Sequence, residues 1–233
     1  MNATEDPPPQ PELMHTPSEA APAAVNAAKG LAIGCAALVG IPLLVVLGYI
    51  VTFMAQRATP EDYPTVTPET AAGRLTAASQ EMYEVAGFDR TLPPGVERIA
   101  VSTENVLDSG FCYPGGLESI ADESVDGAYS LHHRWGVPDV PKDQGLAALR
   151  RLREHLRNAG WTITDYGKEQ RSDEWELRAE KGEDRRASFR WRADLGYFDA
   201  GAGSGCAYDP AWTVSDSGPP GEHLDPPTLT PGR

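Results

Sequence analysis

The sequence predicts an α+β fold: an antiparallel sheet of about five to six strands with two helices on one face, preceded by a single transmembrane helix. Three observations predict this class. An uncharged apolar run extends from Leu31 to Met54. Beyond it, two stretches carry apolar residues at helical spacing, and several others alternate apolar and polar residues as half-buried strands do. The predicted boundaries are 1–28 for a disordered tail rich in Pro and acids, 30–55 for the transmembrane helix, 56–66 for a linker, 67–214 for the α+β domain and 215–233 for a second disordered tail.

The apolar run is the predicted anchor. A helix from Leu31 to Met54 would extend roughly 36 Å, which exceeds the hydrocarbon thickness of about 30 Å, so we expect the lipid bilayer as its partner. Gly30 and Gly34 have the spacing at which two membrane helices approach closely, and a weak helix dimer is therefore a second candidate interaction. The segment from Ala32 to Cys35 resembles a lipobox, but the long polar stretch before it disfavours a signal peptide.

The composition excludes one large class of partners. The chain has 233 residues with 34 acidic and 20 basic side chains, a net charge of −14. Nucleic-acid binding requires a basic surface, so we expect no nucleic-acid partner. Electrostatic attraction to anionic lipid is disfavoured for the same reason.

The three cysteines predict a disulfide and, through it, a compartment. Cys35 lies in the apolar run, whereas Cys112 and Cys206 lie in the predicted domain. One such pair is typical of a disulfide formed outside the cytoplasm, although two separate reduced thiols are the alternative. We therefore expect a single-pass protein of the cell membrane with a cytoplasmic N-terminus and the C-terminal domain outside. The charges that flank the span give only a weak, opposite bias.

Two helices are predicted in the domain. The first is expected at about 68–86, with Thr67 as its N-terminal cap and Gly87 at its end. The second is expected at about 143–159, with Asp143 as its cap. Its apolar stripe falls at helical spacing on Leu146, Leu149, Leu152 and Leu156.

The remaining predicted elements are strands. Alternation is strictest from Ala128 to Val137, where successive side chains point to opposite faces of a sheet. A strand within 96–106 would place Ile99 and Val101 on one face, and 109–116 is expected to be irregular. Further strands are expected at 161–166, 174–180, 186–192 and 195–202.

The strands at 174–180 and 186–192 form a hairpin whose register can be predicted. A turn centred on Glu183 sets apolar residues opposite each other on one face and acids opposite arginines on the other. A slip by one residue would lose both sets of matches, so the pattern selects the register. The predicted pairs are Trp175 with Trp191, Leu177 with Phe189, Ala179 with Ala187, Glu174 with Arg192, Glu176 with Arg190 and Glu180 with Arg186.

Candidate functional residues are few. The sequence contains no zinc-type cysteine pair, no His-Glu-x-x-His and no Gly-x-Ser-x-Gly, so we expect no metal, no cofactor and no catalytic residue that a motif can name. His132 and His133 are weak candidates for ligand binding; a catalytic site that joins one of them to an acid such as Asp165 is the alternative. Three arginines along one flank of the second helix could form an anion-binding ridge or simply a solvated face. They are Arg150, Arg153 and Arg157.

The order of a Pro-rich tail, one apolar span and a domain with a cysteine pair resembles the layout of uncharacterised single-pass membrane proteins of Streptomyces-like actinobacteria. The resemblance covers the layout of the whole chain and no specific motif. It implies a location in the cell envelope and carries over no site residue.

Together these observations predict a non-enzymatic, membrane-tethered domain outside the cytoplasm that binds a ligand or partner in the cell envelope. An envelope hydrolase with a His and carboxylate site is one alternative. An accessory subunit of a membrane complex, with a protein partner bound through the span, is another.

Overall fold

The computed structural model describes residues 41–55, 61–114, 123–169, 173–182, 185–213 and 217–232. The predictions for the tail at 1–28, for Gly30 and Gly34, and for the lipobox-like segment therefore lie outside the described residues. The chain divides into two compact units, Met1–Ala55 and Gln56–Arg233.

The first unit contains helix α1, which the structure describes over residues 41–55. Within the described residues, no helix is both long and apolar enough to cross a membrane. The predicted fold class, with a single transmembrane helix before the domain, is wrong in this respect. The first part of the predicted span, 31–40, lies outside the described residues.

Helix α2 extends over Pro68–Ala86 and begins and ends as predicted. The Thr67 hydroxyl accepts a hydrogen bond from the Thr70 amide and so pairs one of the free amides of the first turn. Gly87 ends the helix in a left-handed conformation with φ of 71°, which glycine adopts without steric cost.

Helix α3 extends over Lys142–Asn158. The predicted Asp143 cap is wrong, because Pro141 occupies the cap position and no side chain caps the helix. Asp143 lies instead in the first turn, where the helix dipole favours an acid. The predicted apolar stripe is confirmed, since its last three leucines are fully buried.

In the described part of the chain, eight strands form one sheet, rather than the predicted five to six. The sheet order is β1-β2-β3-β7-β6-β5-β4, with antiparallel neighbours, and β8 pairs with β3. The bounds are β1 Gly95–Val96, β2 Glu104–Phe111, β3 Ala128–Val137, β4 Thr162–Lys168, β5 Glu174–Lys181, β6 Arg185–Arg192, β7 Tyr197–Gly203 and β8 Ala207–Tyr208. β1 and β8 are two residues long, too short to leave a periodic signal in the sequence.

The strand predicted within 96–106 is displaced along the chain. Residues 97–103 form a turn in which Ile99 and Val101 are exposed, and β2 begins only at Glu104. β2 then continues through Phe111, so the prediction of irregular structure from residue 109 is wrong. The strand is defined by its pairing with β3 over its full length, which alternation in the sequence did not reveal.

The hairpin of β5 and β6 has the predicted register at all six predicted pairs. The predicted ion pair between Glu176 and Arg190 does not form. Arg190 binds Asp199 of β7 instead, with its Nη2 2.9 Å from Oδ2, and Glu176 binds Arg178 of its own strand at 2.8 Å. The third strand, β7, supplies a competing carboxylate that the hairpin sequence alone does not contain.

Helices α2 and α3 pack on the same face of the sheet. The main core cluster joins Tyr83 of α2 and Leu152 of α3 to the strand residues Trp135, Phe189 and Phe198. The alternate side chains of the strands point to the other face, which we call the open face. A second, smaller core cluster brings together Ala72, Leu75, Leu107, Tyr129, Leu131 and Ala207.

Cys112 and Cys206 form the predicted disulfide, with an S–S distance of 2.01 Å. The bond joins the end of β2 to the segment before β8 across a sequence separation of 94 residues. Chain-entropy reasoning gives a stabilisation of roughly 4 to 5 kcal/mol for a loop of this length.

Residues 217–232 pack against the domain instead of forming the predicted disordered tail. Leu229 is fully buried and exchanges two backbone hydrogen bonds with Leu92, at 2.9 and 3.0 Å. The Asn105 side-chain amide donates to the carbonyl of Pro227 at 2.9 Å. One buried leucine and a few backbone pairs therefore fix a segment whose Pro-rich composition is typical of disorder.

Candidate functional site

The two candidate histidines lie on opposite faces of β3, as the strand alternation predicts. His132 is exposed on the open face, where its Nε2 lies 3.5 Å from the Ser130 hydroxyl. His133 is fully buried on the helix-covered face. The two rings therefore do not belong to one site.

His133 belongs to a buried polar network. The side-chain amide of Asn105 donates to the carbonyls of Leu92 and Pro227, both at 2.9 Å, so its Oδ1 is left as an acceptor. His133 Nε2 lies 2.8 Å from this Oδ1 and must be the protonated nitrogen of the neutral ring. Burial lowers the pKa of His133 to about 4, because the charged ring would lose its hydration.

Ser79 lies at the same level of the structure as His133. Leu75 packs with Leu131 in one cluster, and the Tyr83 ring is 5.1 Å from the Trp135 ring, so α2 and β3 run in the same direction. Ser79 falls between Leu75 and Tyr83, four residues or about one helical turn from each, as His133 falls between Leu131 and Trp135. Within the described residues, neither the Ser79 hydroxyl nor His133 Nδ1 has a hydrogen-bond partner.

This serine, histidine and asparagine contain the chemical types of a nucleophilic site, but all three side chains are fully buried. No substrate can reach them while the two layers are packed. The arrangement is a polar layer between the two apolar clusters, and its role in this structure is to connect β2, β3 and the C-terminal segment.

The candidate arginines of α3 do not form a ridge. Arg150 and Arg157 are exposed, whereas Arg153 stacks on the Tyr166 ring, with its guanidinium carbon 4.4 Å from the ring centre. The arginine that holds the two helices together is Arg151, which was not singled out in the sequence. Its Nε donates to the Val85 carbonyl at 3.0 Å, at the C-terminal end of α2 where the helix dipole favours a cation.

The open face contains a cleft of about 830 Å³ that includes His132 and Arg134. Its charges are largely paired. Arg134 donates to Asp108 Oδ2 from Nε and Nη2, at 3.2 and 3.0 Å, and its Nη1 lies 3.1 Å from Glu104. A ligand anion would have to displace these carboxylates, so the cleft is a poor anion site despite its arginines.

A second concavity lies beside α2 and has a different character. We call it the α2 pocket; it has a volume of about 470 Å³ and lies between α2, the ends of β5 and β6, and the segment that joins β7 to β8. Its wall is mainly apolar. The side chains that form this wall include Val66, Leu75, Ala78, Met82, Trp161 and Ala202.

The rim of the α2 pocket is basic. Four cations line it, and none of its described lining residues is an acid. They are Arg74, Lys181, Arg185 and Arg186. An apolar wall with a few convergent polar groups is the common form of a small-molecule site, which makes the α2 pocket the best candidate functional site of the described residues.

Sequence reasoning missed the α2 pocket because its wall comes from four separate segments. The sequence predicts Arg186 only as a hairpin residue, leaves Arg185 outside the predicted strands, and counts Arg74 only among the charges that flank the predicted span. The only sequence feature that points to the pocket is the basic character of these residues in an acidic chain. The pocket forms because α2 lies beside the end of the β5–β6 hairpin, and no local sequence pattern encodes that placement.

No group of three or more His, Cys, Asp or Glu side chains that could hold a metal ion occurs in the part of the chain that the structure describes. No known protein family, no curated protein and no solved structure matches the chain.

Proposed function

We propose that the second compact unit is a non-catalytic binding domain that works outside the cytoplasm, in the cell envelope, and that its ligand occupies the α2 pocket. The observation that carries the proposal is the form of this pocket. It combines an apolar wall, a basic rim and a volume of about 470 Å³, which lies within the usual range for ligand sites of roughly 300 to 1,000 Å³.

The disulfide supports the proposed location outside the cytoplasm. Cys112 and Cys206 are joined although they lie far apart in the chain, and such structural bonds persist in oxidising surroundings. Cys206 also lines the α2 pocket, so the same bond holds one wall of the proposed site in place. A domain with a disulfide in the lining of its candidate site is suited to oxidising surroundings such as the envelope.

The pocket is tested by filling it. Ala78 of α2 lines the pocket, and the neighbouring Ala77 is exposed on the same helix. We expect the full-length protein to bind N-phenylnaphthylamine, a neutral apolar dye whose fluorescence rises in an apolar site, with saturation at one equivalent. Ala78→Trp should abolish the fluorescence rise, because the indole occupies the apolar wall, whereas the matched control Ala77→Trp should retain it.

Thermal unfolding of both variants shows whether each is folded. Equal dye binding by folded Ala78→Trp and by wild type would contradict the assignment of the α2 pocket as the binding site. So would the absence of any saturable dye binding to the oxidised wild-type protein.

A further inference from the structure

We propose that the ligand of the α2 pocket is an amphipathic anion, with a carboxylate or phosphate head group on a single apolar chain. The inference rests on the proposed function, because it names the ligand class of the same pocket. It follows from where the charges and the apolar surface of that pocket lie.

The charge of the rim contrasts with the charge of the chain. The protein has a net charge of −14, yet the described lining of the α2 pocket contains four cations and no acid. In an acidic protein, a concavity with this composition attracts anions locally while the surrounding surface repels them. Charge complementarity therefore selects an anionic head group.

Two of the four cations are available to a ligand. Within the described residues, Arg74 and Arg185 make no ion pair, and both are exposed at the rim. Arg186 lies 3.7 Å from Glu180 with a side chain that is 77% exposed, a pair that contributes little. Lys181 is engaged, because its ammonium donates to the Ala159 carbonyl at 2.7 Å.

The apolar part of the ligand is selected by the wall. Val66, Ala78 and Trp161 line the pocket and are only half-buried. These side chains present carbon surface to the pocket, so a small hydrophilic anion such as inorganic phosphate would leave that surface in contact with water. An apolar chain covers this surface, so the pocket favours an amphipathic ligand.

The test compares ligands with one chain and different heads. Dodecanoate, dodecyl phosphate, dodecanol and dodecylammonium are titrated, below the concentrations at which they aggregate, against the full-length protein loaded with N-phenylnaphthylamine. We expect each anion to displace the dye at a concentration about tenfold or more below that of dodecanol, since a charge-assisted hydrogen bond is worth that much. Dodecylammonium should be the weakest. The order of the two anions identifies the head group as carboxylate or phosphate.

Variants that remove positive charges show which arginines cause the preference for anionic ligands. The double variant Arg74→Gln, Arg185→Gln should lose the preference for anions over dodecanol. The matched control Arg150→Gln, Arg157→Gln removes the same charge from the exposed flank of α3 and should keep the preference.

Two failures are distinguishable. If dodecanol displaces the dye as well as the anions do, or if the Arg74 and Arg185 double variant keeps the full preference, the ligand class is wrong while the pocket assignment stands. If wild-type protein does not bind the dye, or if folded Ala78→Trp still binds it, the proposed function itself fails.

Discussion

His133 is a fully buried histidine, and burial lowers the pKa of its ring, which couples its protonation to folding. It is neutral in the folded protein because burial lowers its pKa from 6.5 to about 4. No charged group contributes to the shift; Asn105 binds the ring, and Leu107 of β2 lies directly opposite His133. Protonation would place an uncompensated charge beside the amide that holds Pro227.

The sign of the pH effect follows from this pKa. Above about pH 6.5 the ring is neutral in both states and contributes no pH dependence. As the pH falls toward about 4, the unfolded chain takes up the proton first, so the folded state loses stability. We predict a loss of about 2 kcal/mol from His133 between about pH 7 and about pH 5.

The measurement is urea denaturation of wild type, His133→Gln and His132→Gln across this pH range. His133→Gln should be less stable near neutral pH but should show a flatter dependence on acidification. His132→Gln, at the exposed neighbouring position, should keep the wild-type slope. An unchanged slope in His133→Gln would show that other groups cause the acid response.

At the residue scale, the sequence predicts the face of the sheet on which His133 lies but not the side chain to which it binds. Strict alternation from Ala128 to Val137 places His133 on one face and His132 on the other, which is correct. The hydrogen bond between His133 and Asn105 is not predicted. Ile99 and Val101 have the spacing of strand residues, so the strand is predicted too early in the chain and Asn105 is not placed opposite β3. A fully buried Asn beside a buried His is recognisable only when the pairing of β2 with β3 is known.

At the scale of elements, two helical glycines differ in packing, and this difference determines how a substitution by alanine changes the stability of the protein. Gly73 lies exposed in α2, and a Cβ added there meets no atom within 4 Å. Gly145 lies buried in the first part of α3, where an added Cβ would overlap the Trp191 ring of β6. That ring is fixed, because its indole nitrogen donates to the Val140 carbonyl at 3.0 Å.

We predict that Gly73→Ala stabilises the protein by about 1 kcal/mol, because alanine is the better helix former. Gly145→Ala should destabilise it by about 1 to 3 kcal/mol, because the close contact between α3 and β6 must open. The free energy of unfolding from urea denaturation of both variants checks the pair. Equal stabilisation by both substitutions would contradict the close packing of α3 on Trp191.

Elements with local signals are predictable, and those defined by distant pairing are not. Thr67, Gly87 and the cross-strand matches of β5 and β6 lie within a few residues of the features they determine, and each prediction is confirmed. The Glu176–Arg190 ion pair fails because β7 places Asp199 beside Arg190. The placement of β7 between β3 and β6 is a nonlocal event that the strand patterns do not encode.

At the scale of the whole second unit, three distant connections close the domain. The disulfide joins the end of β2 to the segment before β8, Leu229 pairs with Leu92, and Arg151 joins α3 to the end of α2. Cysteine counting predicts the first of these. The pairing of Leu229 with Leu92 is not predicted, because the Pro-rich composition of the last residues indicates disorder and a single leucine does not change that indication. The α2 pocket is not predicted either, because its wall forms only when these connections are made.

Trp161 lines the α2 pocket and therefore reports whether a ligand occupies it. Dodecanoic acid with bromine at the end of its chain is titrated into the full-length protein while tryptophan fluorescence is recorded, because bromine quenches an indole that it contacts. We predict saturable quenching in wild type and its loss in Trp161→Phe, although four other tryptophans remain. Saturable quenching of equal depth in folded Trp161→Phe would show that the ligand binds elsewhere and would contradict the account.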